Sequence, residues 1–378
     1  MPRNWVLLAT GGSKRVRLLQ AARAQLGLPP ALLLEWRDWL LQPAMLAQQF
    51  QALGEGTVFK IEPPGDDSAA HWHLLQLGCR QLDLSPLPAP LHGQLLAQQV
   101  WFAGFTAVMQ KLARQLVDWP QVWVVNHPHE IVLMTDKLAC QQHLQGHQVP
   151  TPPLYGAIKG YDELRALMAG QGLQRVFVKA RYGSSASGVL AYRRTADGRE
   201  QVITSTQMVD GNKGPLLFNT KRLQRYHEPQ RIATLIDLIC QQHAYLEGWV
   251  DKPRSGNGHF DVRVLTLAGK AAHRVARAGA FAMTNLHLDN RREEVTGLLA
   301  PARLQAMQLV AEKAARAFPA SGVIGLDLVP QRDSTLVLEA NAFGDLLPGL
   351  LWQGQDSYGA QTMLLPALAA EDARREAA

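Results

Sequence analysis

Short apolar runs bounded by glycine, proline or asparagine alternate along this chain with longer stretches whose apolar residues recur three or four apart. The first kind reads as buried strand and the second as amphipathic helix. Residues 4–10 form an apolar strand that ends in Gly11, Gly12 and Ser13, followed by a basic amphipathic helix to about residue 26 and a second apolar strand at 31–35. This alternation builds a parallel sheet with its first loop at the ligand-facing edge. That loop lacks the GxGxxG spacing of a dinucleotide site. Residues 57–61 add a strand and 63–67 a proline- and glycine-bearing loop. The stripe Leu95, Val100, Phe105, Val108, Leu112 and Leu116 predicts a helix over 92–118, ended by Pro120. A short strand at 122–125 completes a first domain.

Beyond it, Thr135 or Asp136 is the expected N-cap of a helix that runs to about residue 146, with proline-rich extended chain at 149–153. Lys137 then falls in the first helical turn, where the dipole disfavours a cation; it is either solvated or held by another partner such as a phosphate. A helix over 161–170 leads into VFVKARYGSSASGVL, residues 176–190. Alternation along the strand 176–179 places Phe177 and Lys179 on one face and Val176 and Val178 on the other. The small residues at 183–188 allow close backbone approach and donate N–H and hydroxyl groups, as a phosphate clamp requires. The same residues also suit a plain turn, and Arg181 and Tyr182 either reach phosphate or pack.

Residues 201–228 read as two strand pieces around a turn at 210–214, and a helix over 229–242 precedes a short strand with Glu247. A hairpin over 259–279 puts Asp261 and Arg263 on one face of its first strand, with Arg277 on the second strand and Asn285 and His287 beyond it. The last two apolar strands, 322–329 and 335–341, flank a turn. Centred on Asp333, this hairpin sets Asp327 opposite Glu339, with Asn341 two residues further on the same face. Directly opposed Cβ atoms lie about 4.5–5.5 Å apart, and like charges there are destabilising. Slipping the register would expose Leu326, Leu328, Leu338 and Ala340. A divalent cation between Asp327, Glu339 and Asn341 would resolve the conflict, and an all-oxygen set selects magnesium or manganese. A protonated or solvated acid pair is the alternative.

Composition narrows the picture without changing it. The chain of 378 residues suggests two or three domains, and 47% hydrophobic with 19% charged residues is ordinary for a globular protein. No stretch approaches the roughly 18 apolar residues of a membrane span. The apolar run at 5–9 is too short for a signal peptide, so a cytoplasmic protein is expected. Cys79, Cys140 and Cys240 are odd in number and far apart, which argues against disulfides and zinc. His71 with His73 and His127 with His129 lack further ligands at metal spacing. The net charge of +6 comes from scattered basic residues, which argues against nucleic acid and suits anionic ligands.

Seven pieces in order, VVNHPHEIVLMTDK, VPTPP, VFVKARYGSSASGV, YLEGWV, DVRVL with Arg277 and TNLH, GLDLV and LEANAFGDLLPG, resemble the ATP-grasp superfamily, and within it ribosomal-protein S6 glutamate ligase and glutathione synthetase-like enzymes. The resemblance implies an α/β chain, with a Rossmann-like domain over 1–123, a small ATP-grasp subdomain over 124–195 carrying the lysine and glycine loop, and a large one over 196–378 carrying the metal site. It implies that Lys137, Lys179, Gly183, Ser184, Ser185, Ser187 and Gly188 hold ATP phosphates. Glu247, Trp249 and Val250 would read adenine and ribose, and Asp327, Glu339 and Asn341 would bind Mg2+ or Mn2+. Arg263, Arg277 and Asn285 would orient the acceptor acid and stabilise the transferring phosphate. The implied activity is ATP-dependent carboxylate–amine ligation through an acyl phosphate, on small-molecule or peptide substrates. A small-molecule kinase or a non-catalytic nucleotide-binding regulator on the same fold are the alternatives, and a homo-oligomer is compatible. Two departures stand out: the extra residues over 201–228, and Gly248 where many relatives carry an acid.

Overall fold

Strands β1 (Trp5–Ala9), β2 (Leu32–Glu35), β3 (Val58–Ile61) and β4 (Trp123–Val124) form a parallel sheet in the order β2-β1-β3-β4. Every residue of β1 is buried, as a central parallel strand covered on both faces requires. Helices α1 (Lys14–Gln25), α2 (Trp36–Leu41), α3 (Ala44–Leu53), α4 (Ser68–Gln81) and α5 (Gln98–Val117) complete this unit. The computed structural model describes residues 4–65, 67–183, 187–212, 214–281, 283–284, 290–344 and 347–363.

One helix lies outside the sequence expectations and one needs a new start. After the loop that begins at 63, Asp67 caps α4 by accepting from the N–H groups of Ala69 and Ala70 at 2.9 and 3.0 Å. His71 and His73 therefore sit on that helix, and His71 stacks on Trp101. The other pair, His127 and His129, lies where a second helix starts, His127 Nδ1 accepting from the His129 N–H at 3.4 Å. Helix α5 begins at Gln98 rather than at 92, because the preceding segment is used elsewhere. Leu95 N–H donates to Leu217 at 2.8 Å and Asn219 N–H donates to Gly93 at 2.8 Å, so this backbone pairs with a distant strand.

Helices α6 (Pro128–Thr135) and α7 (Lys137–Gly146) lead into the second sheet, which has the order β5-β10-β6-β7-β8-β9. Its strands are β5 (Leu154–Ile158), β6 (Arg175–Ala180), β7 (Val189–Arg194), β8 (Glu200–Gly211), β9 (Gly214–Tyr226) and β10 (Ala244–Gly248), with α8 (Tyr161–Gly170) and α9 (Pro229–Cys240) on one face. The segment 201–228 is thus a long hairpin, β8–β9, that extends this sheet. A division at 195/196 would part β7 from its hydrogen-bonded neighbour β8, so the sheet runs on to Gly248.

The third sheet is antiparallel with the order β14-β13-β12-β15-β16, and β11 pairs beside β12. It consists of β11 (Arg254–Ser255), β12 (Gly258–Leu267), β13 (Lys270–Gly279), β14 (Arg291–Glu293), β15 (Val323–Pro330) and β16 (Thr335–Asn341), with α10 (Pro301–Arg316) against it and α11 (Ser357–Met363) packed on α1. One buried cluster runs from Val6 and Leu8 of the first sheet through Ile131 and Leu144 to Val262 and Leu326 of the third. The second sheet has its own core, built on Val176, Val178, Leu190 and Ile236. No helix among the described residues is long and apolar enough to cross a membrane.

Candidate functional site

On β6 the period of two buries Val176 and Val178 and leaves Phe177 and Lys179 half-buried on the other face. The antiparallel register with β10 sets Tyr245 opposite Lys179 and Glu247 opposite Phe177, so the four share one face. Lys179 Nζ donates to Glu247 Oε1 at 2.5 Å, with 13% and 3% of the two side chains exposed. Tyr245 lies beside Glu247, and burial followed by that carboxylate pushes its phenol well up. Trp249 stacks on Phe177 with ring centres 4.8 Å apart, and Val250 is buried at the start of the connector to the third sheet.

Glycine is required at both ends of the loop that follows. A Cβ on Gly183 would stand 2.4 Å from the Ser187 carbonyl, and one on Gly188, whose φ is +69°, would stand 2.7 Å from the Ala180 Cβ. Ser187 is buried and accepts a long bond from Gln98 at the start of α5. Ser184 and Ser185 lie outside the described residues, as does Asn285.

The residues between lysine and loop hold the site together rather than face it. Arg181 forks onto Asp136, which also caps α7 by accepting from Ala139 N–H at 3.2 Å. The Lys137 N–H donates to the Arg181 carbonyl at 2.9 Å. Helix α7 is thereby pinned to the strand that carries Lys179. Tyr182 stacks on Phe102 of α5, with ring centres 4.2 Å apart. The Lys137 ammonium, placed unfavourably for its own helix, finds its partner in Glu339 across the cleft.

The β15–β16 register sets Asp327 opposite Glu339 and Gly325 opposite Asn341, as the hairpin geometry predicts. Closer to the turn it shifts by one residue, and Leu328 faces Val337 instead of Leu338. The extra residue is fixed from outside the sheet: Val337 N–H donates to Pro150 at 2.8 Å and Gln141 Nε2 donates to the Leu338 carbonyl at 2.6 Å.

The two opposed acids are compensated by cations. Arg263 lies opposite Asp327 on β12 and forks onto it, and Arg277 Nη2 adds a contact to the same carboxylate at 3.0 Å. Burial alone would raise the Glu339 carboxyl, but Lys137, then Arg263 and Lys179, outweigh it and hold that group below the usual carboxylate range. Asp261 lies opposite Arg277 and accepts from its Nε at 2.8 Å; despite burial, Arg277 and Lys252 keep it ionised, well below its ordinary value. Asp136, Arg181, Lys252, Asp261 and Thr284 were not among the expected site residues; the pairing of Asp136 with Arg181 spans 45 positions, whereas Asp261 opposite Arg277 follows from the hairpin over 259–279.

Asp327, Glu339 and Asn341 share one face of neighbouring strands and offer hard oxygen donors. The Asn341 amide nitrogen donates to Gly325 at 3.1 Å, which leaves its carbonyl oxygen as acceptor. This donor chemistry fits Mg2+ or Mn2+. The whole arrangement is a cleft between two sheets, with two lysines and a glycine loop on one side and carboxylates with arginines on the other.

No family model and no curated protein matches the sequence. Solved structures do match. D-cycloserine synthetase DcsG superposes with a TM-score of 0.52 at 15% identity, over 98% of this chain and 99% of that one. Biotin carboxylase from Campylobacter jejuni, in complex with a β,γ-ATP analogue, gives 0.53 at 12% identity over 92% and 66%. The ATP-grasp ligase PsnB, complexed with precursor peptide PsnA2 and AMPPNP, gives 0.50 at 14% identity over 98% and 99%. At such identities the likeness concerns the fold, and the chain has the ATP-grasp fold with a Rossmann-like parallel sheet at its N-terminus.

Proposed function

We propose that this protein is an ATP-dependent carboxylate–amine ligase that works through an acyl phosphate, on an amino acid, a peptide or another small carboxylate. The observation that carries this reading is the convergence, across one cleft, of Lys137 and Lys179 with Glu339, Asp327, Arg263 and Arg277. Each lysine is paired with a carboxylate. Nucleotide phosphates offer the lysines a stronger anionic partner, and Asp327, Glu339 and Asn341 are then the groups to hold Mg2+. The metal supplies charge neutralisation at the phosphate oxygens.

In the first step a substrate carboxylate oxygen bonds to the γ-phosphorus and the bond to ADP breaks. In the second, an amine nitrogen bonds to the acyl carbon, phosphate leaves with its bonding electrons, and the nitrogen loses a proton. No enzyme nucleophile is needed, so rate depends on positioning and charge stabilisation. Lys137 and Lys179 bind phosphate oxygens, with the 183–188 loop over them. Arg277 neutralises the transferring group, and Arg263 orients the acid. Glu247, Trp249 and Val250 line the side where adenine and ribose are read.

Purified protein with ATP, Mg2+ and a panel of amino acids and peptides should release ADP and phosphate and yield a product heavier by one condensation. Release of ADP with a phosphorylated product would instead make it a kinase, and binding of ATP with no release across the panel would make it a regulator.

A further inference from the structure

Lys252 is required by none of the steps above, yet only 9% of its side chain is exposed. It lies in the connector 249–253, through which the chain passes from the second sheet to the third. The first half of that connector is tied to β6: Trp249 stacks on Phe177, and Asp251 takes both guanidinium nitrogens of Arg175 at 3.0 and 2.7 Å. From Lys252 onward the ties are to β12. Phe260 N–H donates to Pro253 at 2.9 Å, a His259 ring nitrogen lies 3.3 Å from the Lys252 carbonyl, and Lys252 Nζ donates to Asp261 Oδ2 at 2.8 Å. The changeover falls at Asp251, whose carbonyl accepts a longer bond from Gln331 of the β15–β16 turn.

The same ammonium donates to Thr284 Oγ1 at 2.7 Å, and Thr284 donates in turn to Asp261 Oδ2. Asp261 thus divides its carboxylate, with Oδ2 for Lys252 and Thr284 and Oδ1 for Arg277 Nε. Arg277 then reaches Asp327. Among the described residues Arg277 already faces Asp261, and Arg263 and Arg277 face Asp327, so Lys252 is a third buried cation in this group. Burying a third cation is costly, and an apolar side chain of similar volume would avoid that cost. What the ammonium adds is direction, since it donates to two fixed acceptors on different segments.

We infer that Lys252 is a positioning residue: through Asp261 it fixes the Nε edge of Arg277, and through Thr284 it fixes the backbone at 283–284, so that the connector and the charge-neutralising guanidinium move as one body. Its effect on rate rests on the ligase reading; its effect on the connector does not.

The test uses the full-length protein with Lys252→Met, Lys252→Arg and Asp261→Asn, read by ADP release and by amide hydrogen exchange without nucleotide. In Lys252→Met, kcat should fall about 10²-fold with KM for ATP changed less than about twofold, as expected for a misplaced rather than a missing group. Lys252→Arg should regain part of the rate, and the double variant with Asp261→Asn should be no slower than either single one. Exchange should quicken together at 249–253 and 283–284 and not elsewhere. Wild-type kcat in Lys252→Met, or exchange that rises across the whole chain or at the connector alone, overturns the inference. If Lys252→Met does not fold, Lys252→Arg and Asp261→Asn carry the same readouts. If the wild-type protein releases no ADP, the ligase reading fails while the exchange measurement still decides the clasp.

Discussion

The two sides of the cleft hold their charges differently. On the second sheet Lys179 pairs with Glu247 on the neighbouring strand, and the sheet packs on a core of its own. On the third sheet Asp261, Arg263, Arg277 and Asp327 form a buried lattice in which each carboxylate meets two cations, and the sheet shares its core with the N-terminal unit. When a phosphate takes Lys179, one buried carboxylate, Glu247, loses its cation and keeps Tyr245 beside it. Releasing a member of the lattice leaves several buried charges short of a partner at once, which is more destabilising. The second sheet is therefore suited to capture a ligand, and the third to present a preformed charge pattern to it.

The sharpest way to break this contrast is Arg277→Lys, which keeps the charge but loses the planar fork. It should cut kcat about 10²- to 10³-fold and lower the thermal midpoint, with ATP affinity little changed by calorimetry. Lys179→Met should weaken ATP binding about tenfold or more, and because it leaves Glu247 buried without its cation it should lower the thermal midpoint as well. If Lys179→Met left ATP binding intact, the capture role would pass to Lys137 and the contrast would fail.

Acid should separate the two sides further. Glu339 and Asp261 have folded-state values below their unfolded ones, so each contributes stability that is present above about pH 4 and is lost as pH falls through the folded value. A thermal-melt series from pH 6 to pH 3 should show falling stability, and Glu339→Gln should flatten part of that slope. The smallest effect belongs outside the cleft. Phe102→Ala removes the stack on Tyr182 and should cost about 1–2 kcal/mol in denaturant unfolding, with a modest loss of ATP affinity through the loop that Tyr182 precedes.

How much of this was legible in the sequence depended on how local the cause was. The helix over 161–170, the Asp136 cap and the face of Lys179 follow from spacing within a few residues, and the structure places all three as expected. Helix α4 carries a readable signal, Asp67 before a run with Ala70, Leu74, Leu75 and Cys79 buried on one face, that the sequence expectations did not include. The start of α5 could not be read, because Leu95 is held by Leu217, whose partnership no local pattern records.

Within the site, the sequence set Asp327 opposite Glu339 and the structure agrees, but the turn itself pairs Leu328 with Val337, and it is the bulge held by Pro150 and Gln141 that brings the two acids opposite each other. The sequence by itself placed Arg263 on the face of Asp261 by alternation alone. Only the tertiary structure decided what those acids meet. The sequence-level remedy was a cation between them; the fold brings Arg263, Arg277 and Lys137 to the same carboxylates, from strands and a helix up to 202 positions away. It likewise turned Arg181 inward to Asp136 and Lys252 to Asp261. The alternation of faces along a strand is a property of neighbours along the chain, whereas a buried charge, like the bulge at Leu338, is settled by whatever the packing of distant elements delivers to it.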